Sequence, residues 1–229
     1  MDDEVGDPLK PLEMVLEPDI RSTWLQVDDP NDGIRPMTLQ DHHAAVAGIR
    51  LSDDVPLPVR QLMETAKNLV LYSWFCYRFH QPAELVAFGA LEMALRQKAE
   101  HADAIWYEKT SRNGKPPPLG ILLAKARREK WIRNQGFEEW RRAQQFRAWE
   151  KEVWRLTREM EEKGVQQIAI PDQSEFSGAI GDGDLDYVGV LEKSIPYQRN
   201  SLAHGSSTLH PNSLNTLNMC VQAMDQLFP

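Results

Sequence analysis

Apolar residues recur at three- and four-residue steps along much of the chain, which is the signature of amphipathic helices. Leu62, Ala66, Leu69, Ser73 and Cys76 keep that spacing, while Val59, Met63, Val70, Tyr72, Trp74 and Phe75 add apolar surface on other sides. The pattern predicts a helix over 57–79, opened by Pro58, whose missing amide hydrogen costs nothing in a first turn. A helix apolar over so much of its circumference belongs at the centre of a fold or at an interface between copies. Pro82 suits the first turn of a following helix over 82–100, with Leu85, Phe88, Leu91, Glu92 and Leu95 on adjoining faces. A last helix, opened at Pro211, carries Leu214, Leu217, Val221, Met224 and Phe228 in one stripe, with Cys220 and Leu227 beside it.

Local signals add further elements. Thr38 followed by Asp41 reads as a helix cap, predicting a helix over 39–50. The run 111–118 reads as a turn and a stiff proline stretch entering a helix over 118–131 that buries Leu119, Leu122, Leu123 and Ala126. Residues 137–163 form a charged helix carrying Trp140, Phe146, Trp149 and Trp154, with Gly164 as its stop. Beyond it, 165–170 is expected as a short strand. The run Asp182-Gly183-Asp184-Leu185-Asp186 hints at calcium but lacks the spacing and terminal Glu of a helix-loop-helix site, so a solvated loop is expected. Residues 1–36 are rich in Asp, Pro and Gly and read as a loosely ordered acidic arm, from which Trp24 and Leu25 offer docking points. The remainder, 37–229, reads as a single helical domain with an elaboration at 132–190. These elements together predict an all-α helical bundle.

Composition narrows the class. A chain with 41% hydrophobic and 26% charged residues is an ordinary globular one, and its longest apolar run, 69–77, is too short and too polar to span a bilayer. The opening Met1-Asp2-Asp3-Glu4 has neither a basic nor an apolar segment, so no secretory leader is expected. Cys76 and Cys220 both lie in apolar helical patterns and read as free buried thiols, which makes the cytoplasm the expected location. A net charge of -8 argues against a broad nucleic-acid surface and leaves room for a small site with few cations. His42, His43, His80 and His101 are dispersed and the cysteines are far apart, so no metal or cofactor is expected.

One run carries chemistry: Arg199-Asn200-Ser201-Leu202-Ala203-His204. Arg offers a rigid, permanently charged fork that matches a phosphodiester, and His moves protons near neutral pH. The pair suits metal-independent RNA cleavage, in which a 2′-hydroxyl attacks the adjacent phosphorus. His204 would act as general base or acid, Arg199 would stabilise charge on the phosphoryl oxygens, and Asn200 would hold the motif or orient a phosphate. A structural reading stands beside this one: His204-Gly205 as a helix end, with His204 on a core edge and Arg199 on the surface. In a continuous helix the two residues diverge by about 140°, so convergence within one chain needs a loop or first-turn geometry. Glu92 lies at the margin of a packed stripe. Its simple partner is Arg96, one turn later; a role near an active site is the alternative. His210, next to Pro211, reads as a cap-region residue.

The motif resembles that of the HEPN superfamily, an Arg, a polar residue, three of any kind and a His, extended here by Gly205. The stretch Ala87-Phe88-Gly89-Ala90-Leu91-Glu92-Met93-Ala94-Leu95-Arg96 is similar to the earlier core helix of such domains, and Leu119-Gly120-Ile121-Leu122-Leu123 to the next. The resemblance covers roughly 57–228, interrupted at 132–190. It implies a helical bundle that dimerises, two protomers facing their Arg and His residues across a shared cleft, and endoribonuclease activity in a toxin-antitoxin or defence setting. Arg199, Asn200 and His204 are the catalytic residues it carries over, with Glu92 and Ser201 in support. The implied partners are a second copy, RNA or a nucleotide, and an antitoxin protein, with no membrane. Some members of the superfamily do not cut RNA and serve as dimerising modules, antitoxin partners or nucleotide binders, so that reading stays open.

Overall fold

Alanine sets the centre of this fold. The computed structural model describes residues 7–29, 33–174, 176, 185–205 and 209–229. Helix α3 (His80–Ala102) buries Ala83, Ala87, Ala90, Ala94 and Ala99 together with Phe88, Leu91 and Leu95. Small side chains let neighbours come close on several sides at once. Helices α2 (Leu57–Tyr72), α4 (Ala104–Thr110), α5 (Leu119–Arg128), α7 (Tyr187–Ala203) and α8 (Ser213–Leu227) all contact α3. Helices α1 (Leu39–Gly48) and α6 (Glu138–Lys163) complete the set among the described residues, where the only sheet is the antiparallel pair β1 (Gln26–Asp29) and β2 (Gly33–Pro36). The chain is an all-α helical bundle. No helix among the described residues is long and apolar enough to cross a membrane.

The central helix is α3 rather than the one expected over 57–79. That earlier helix stops at Tyr72, and a 3-10 turn at Tyr77–Phe79 leads into α3 at His80. Ser73 Oγ donates to the Val70 carbonyl at 2.6 Å, a side-chain bond that competes with continued helix. Helix α2 buries Val59, Met63, Ala66 and Val70 and leaves Leu57 and Tyr72 exposed, so its apolar surface is only partly used.

Terminal signals act locally, as read. Thr38 and Asp41 form a reciprocal capping box on α1, and Gly164 ends α6 in left-handed backbone at φ 64°. The short α4 was not legible in the periodicity; Asp103 caps it by accepting from Trp106 N at 3.1 Å. No strand forms over 165–170, where most residues are exposed and no neighbouring strand supplies a ladder. Instead Trp149 Nε1 donates to the Pro171 carbonyl at 2.8 Å and holds this segment along α6. Residues 182–184 of the acidic run lie outside the described residues. Asp186 caps α7 by accepting from Gly189 N at 2.9 Å and also binds Arg127.

In the N-terminal arm, β1 and β2 pair directly. Trp24 stays exposed; the contact with the body is polar instead. Asp19 N donates to the Trp74 carbonyl at 2.9 Å, and Tyr77 N donates to Asp19 Oδ2 at 3.2 Å. Arg21, hydrogen-bonded to Asp19, lies 4.6 Å from the Tyr77 ring centroid and holds the Asp19 carboxyl down at about 2. Both cysteines are free; Cys220 is buried and Cys76 half-buried.

Candidate active site

The motif lies in the last turn of α7 and its cap, so the helix-end geometry is the one adopted. Asp186 starts this helix, and α5 packs on it, with Gly120 facing Pro196 at a distance that would leave even a Cβ in ordinary contact, 3.6 Å from Pro196 Cγ. His204 N donates to the Asn200 carbonyl at 3.0 Å, and Gly205 N to the Leu202 carbonyl at 3.3 Å. Gly205 takes φ 87°, the left-handed conformation that glycine adopts without penalty after a helix.

Arg199 faces α3. Its Nη2 donates to Glu92 Oε2 at 3.3 Å, and its Nη1 to Asn200 Oδ1 at 3.3 Å. Arg96 takes the other Glu92 oxygen. The Glu92 side chain is 9% exposed, against 39% for Arg199. Glu92 therefore binds both its expected helical partner and the motif arginine, and two guanidiniums share one carboxylate, which leaves an excess of positive charge. His204 is exposed rather than stacked on the core, and its ring makes no hydrogen bond among the described residues. Asn200 and Ser201 are exposed as well. The structure brings Arg199, Asn200 and Glu92 together. Helical spacing turns His204 about 140° away from Arg199.

Ser201 and Leu202 line a hollow of about 290 Å³ with Tyr197, Glu84, His210 and Thr216. Glu84 is buried, and its Oε1 has no hydrogen-bond partner. His210 Nδ1 sits 3.6 Å from that oxygen. Burial pushes the Glu84 carboxyl up to about 7, against a smaller opposing effect of the Thr216 hydrogen bond. Nearby, His80 Nδ1 and Ser213 Oγ are 2.6 Å apart, and burial, then the fields of His42 and His210, lower His80 to about 4. Neither Glu84 nor the placement of His210 against it was read from the sequence. A Glu four residues before Phe88 on the alanine-rich stripe was the available signal.

Among the described residues no group of His, Cys, Asp or Glu is arranged to hold a metal ion. His42 is used structurally, its Nε2 lying 2.8 Å from the Val70 carbonyl oxygen in the core. Comparison of the chain with family models, curated proteins and solved structures finds no match.

Proposed function

We propose that this chain is a HEPN-type domain that cleaves RNA without a metal, with Arg199, Asn200 and His204 as its working residues. The observation that carries the reading is an exposed motif in which the Arg199, Arg96 and Glu92 cluster has surplus positive charge and the exposed His204 ring makes no hydrogen bond among the described residues. Arg199 binds the phosphoryl oxygens and stabilises the charge that grows there. An imidazole takes the 2′-hydroxyl proton, or returns one to the departing 5′-oxygen. The 2′-oxygen bonds to phosphorus as the P–O5′ bond breaks, giving a 2′,3′-cyclic phosphate and a 5′-hydroxyl. Asn200 orients the phosphate, and Glu92 is a positioning residue that acts through Arg199.

The divergence of Arg199 and His204 on one helix argues for two copies. With the pair splayed by about 140°, an Arg from one protomer and a His from its partner meet at one phosphate only across a shared cleft. Setting the reaction in a defence or toxin-antitoxin system with an antitoxin partner rests on the superfamily resemblance alone.

A second reading draws on a specific observation. The Arg199 contact with buried Glu92 also fits a non-catalytic module in which the motif arginine braces α7 against α3. Mixed RNAs incubated with the protein in a chelator separate the two. The ribonuclease reading expects cyclic-phosphate ends with wild type, their loss in His204→Ala and Arg199→Ala, and a dimer by sedimentation. Equal cleavage by His204→Ala removes His204 from the chemistry. A wild-type protein that leaves all the RNAs intact favours the module.

A further inference from the structure

Between α4 and α5 the chain reverses in a two-residue turn. Asn113 at φ 52° and Gly114 at φ 71° both take left-handed backbone. Arg112 and Lys115 exchange both backbone hydrogen bonds, Arg112 N to Lys115 O at 3.0 Å and Lys115 N to Arg112 O at 2.9 Å. Positive φ at both central residues is the type I′ pattern that Asn-Gly favours. Residues paired in this way present their side chains to the same face with Cβ atoms about 5 Å apart, and like charges so opposed are destabilising. Neither cation makes an ion pair among the described residues, and neither does Lys109, on the last turn of α4. All three are exposed. Several helix cations of this acidic chain are neutralised, as Lys125 is by Asp103 and Glu129 and Arg155 by Glu152 and Glu159. Others, such as Lys98 and Lys193, make no ion pair among the described residues, but only at this turn do three such cations line one hollow with an apolar wall among the hollows described.

The three unpaired cations surround a hollow of about 770 Å³, within the roughly 300–1,000 Å³ of ordinary ligand sites. Its apolar wall is Trp106, Pro118 and Ile121, and no carboxylate lines it. Lys125 Nζ lies 4.9 Å from the Trp106 ring centroid and steadies that ring. Clustered cations beside a fixed aromatic wall match a ligand that is an anion at one end and a flat ring at the other. We infer that this hollow binds a nucleoside phosphate, with the phosphate between Lys109, Arg112 and Lys115 and the base against Trp106 and Ile121. The phosphate removes the repulsion built into the turn, and the Arg112 fork suits its oxygens. Base-aromatic contact supplies binding that does not depend on charge. The ligand comes either as a free nucleotide or as one nucleotide of a single strand. The second source has a structural rationale, because α5, which carries Ile121, packs on α7, the motif helix. The site itself stands on its own residues and does not depend on the chemistry at His204.

The test is binding by Arg112→Gln/Lys115→Gln, a pair of exposed positions whose change leaves the core intact. Adenosine monophosphate, inorganic phosphate and a single-stranded deoxyribonucleotide octamer serve as probes; the octamer lacks the 2′-hydroxyl and stays intact during titration. Wild type is expected to bind the nucleotide at least tenfold more tightly than inorganic phosphate, and the double variant to lose about tenfold or more for the nucleotide and the octamer. For the octamer, losing two phosphate contacts lowers the slope of log affinity against log salt by about 1.4. Octamer binding tighter than that of the nucleotide assigns the site to a strand; equal binding assigns it to a free nucleotide. Equal affinities in wild type and double variant overturn the inference, as does a wild type that binds neither the nucleotide nor the octamer, or that prefers inorganic phosphate. His204→Ala should bind like wild type, so failure of the cleavage reading and failure of this site are distinguishable.

Discussion

Replacing Glu84 by Gln should stabilise the protein in a strongly pH-dependent way. Glu84 is buried against the motif helix with one oxygen unpartnered, and its carboxyl is raised from 4.5 to about 7. A carboxyl raised on folding contributes stability that is fully present below its unfolded value and is lost as pH rises through the folded one. The window is therefore pH 4.5 to 7. With one pKa unit equal to 1.36 kcal/mol, the loss from pH 5 to pH 8 is about 2–3 kcal/mol. Glutamine keeps the shape and can still accept from Thr216, but carries no charge to desolvate. The difference in unfolding free energy between Glu84→Gln and wild type should therefore grow by about 2–3 kcal/mol between pH 5 and pH 8. In urea this moves the midpoint by about 1 M for an m value near 2 kcal/mol/M. His80 works in the opposite sense. It is lowered from 6.5 to about 4, so its contribution is present above 6.5 and lost as pH falls toward 4. Between pH 4.5 and 6.5 the two groups offset each other in wild type. The variant should therefore expose a loss of stability on acidification across that range. Urea unfolding followed by circular dichroism at pH 5, 6.5 and 8 measures both effects. A stability difference that is the same at pH 5 and pH 8 would refute the reasoning.

Three other substitutions test the motif's anchor and the packing elsewhere in the fold. Glu92→Gln removes the carboxylate that holds Arg96 and Arg199; a loss of about 1–3 kcal/mol in urea unfolding is expected for charge-assisted bonds at a buried acceptor. A Cβ at Gly136 would run into the side-chain amide of Gln226, which accepts from Arg133 N at 2.8 Å and donates to the Gln222 carbonyl at 3.0 Å. Gly136→Ala should cost about 1–2 kcal/mol through those bonds and much less in a Gln226→Ala background, which a double-mutant cycle reads directly. Asp19→Ala should free the N-terminal arm, so limited proteolysis within residues 7–29 should accelerate while the melting temperature of the helical core moves little.

The fold class was legible because helical periodicity, caps and prolines are written locally. Thr38 with Asp41 and Gly164 mark helix ends by bonds and backbone geometry within a few residues, Pro82 fits the first turn of α3 where its missing amide hydrogen costs nothing, and the stripe of Leu217, Val221 and Met224 is buried as its spacing required. The Arg199-to-His204 run was legible as chemistry for a similar reason, since residue types and spacing are properties of the sequence itself. Local reading missed whatever depends on a distant partner. Residues 57–79 looked like one helix because their apolar pattern is continuous, yet the chain breaks at Ser73 and gives the central position to α3. Residues 165–170 have strand-like composition, but a strand exists only where another strand bonds to it.

The sequence by itself determined that this is a helical protein with an Arg and a His five residues apart near its end. Only the tertiary structure decided which of that pair is engaged. Packing of α7 on α3 puts Arg199 against Glu92, 107 positions away in the chain, and the helical turn between them leaves His204 in solvent. It also buried Glu84 beside the same helix and gathered Lys109, Arg112 and Lys115 without a counter-charge among the described residues. Burial and charge neutralisation are properties of what surrounds a side chain, and for these residues the surroundings come from other helices or from a turn whose geometry the pattern does not spell out.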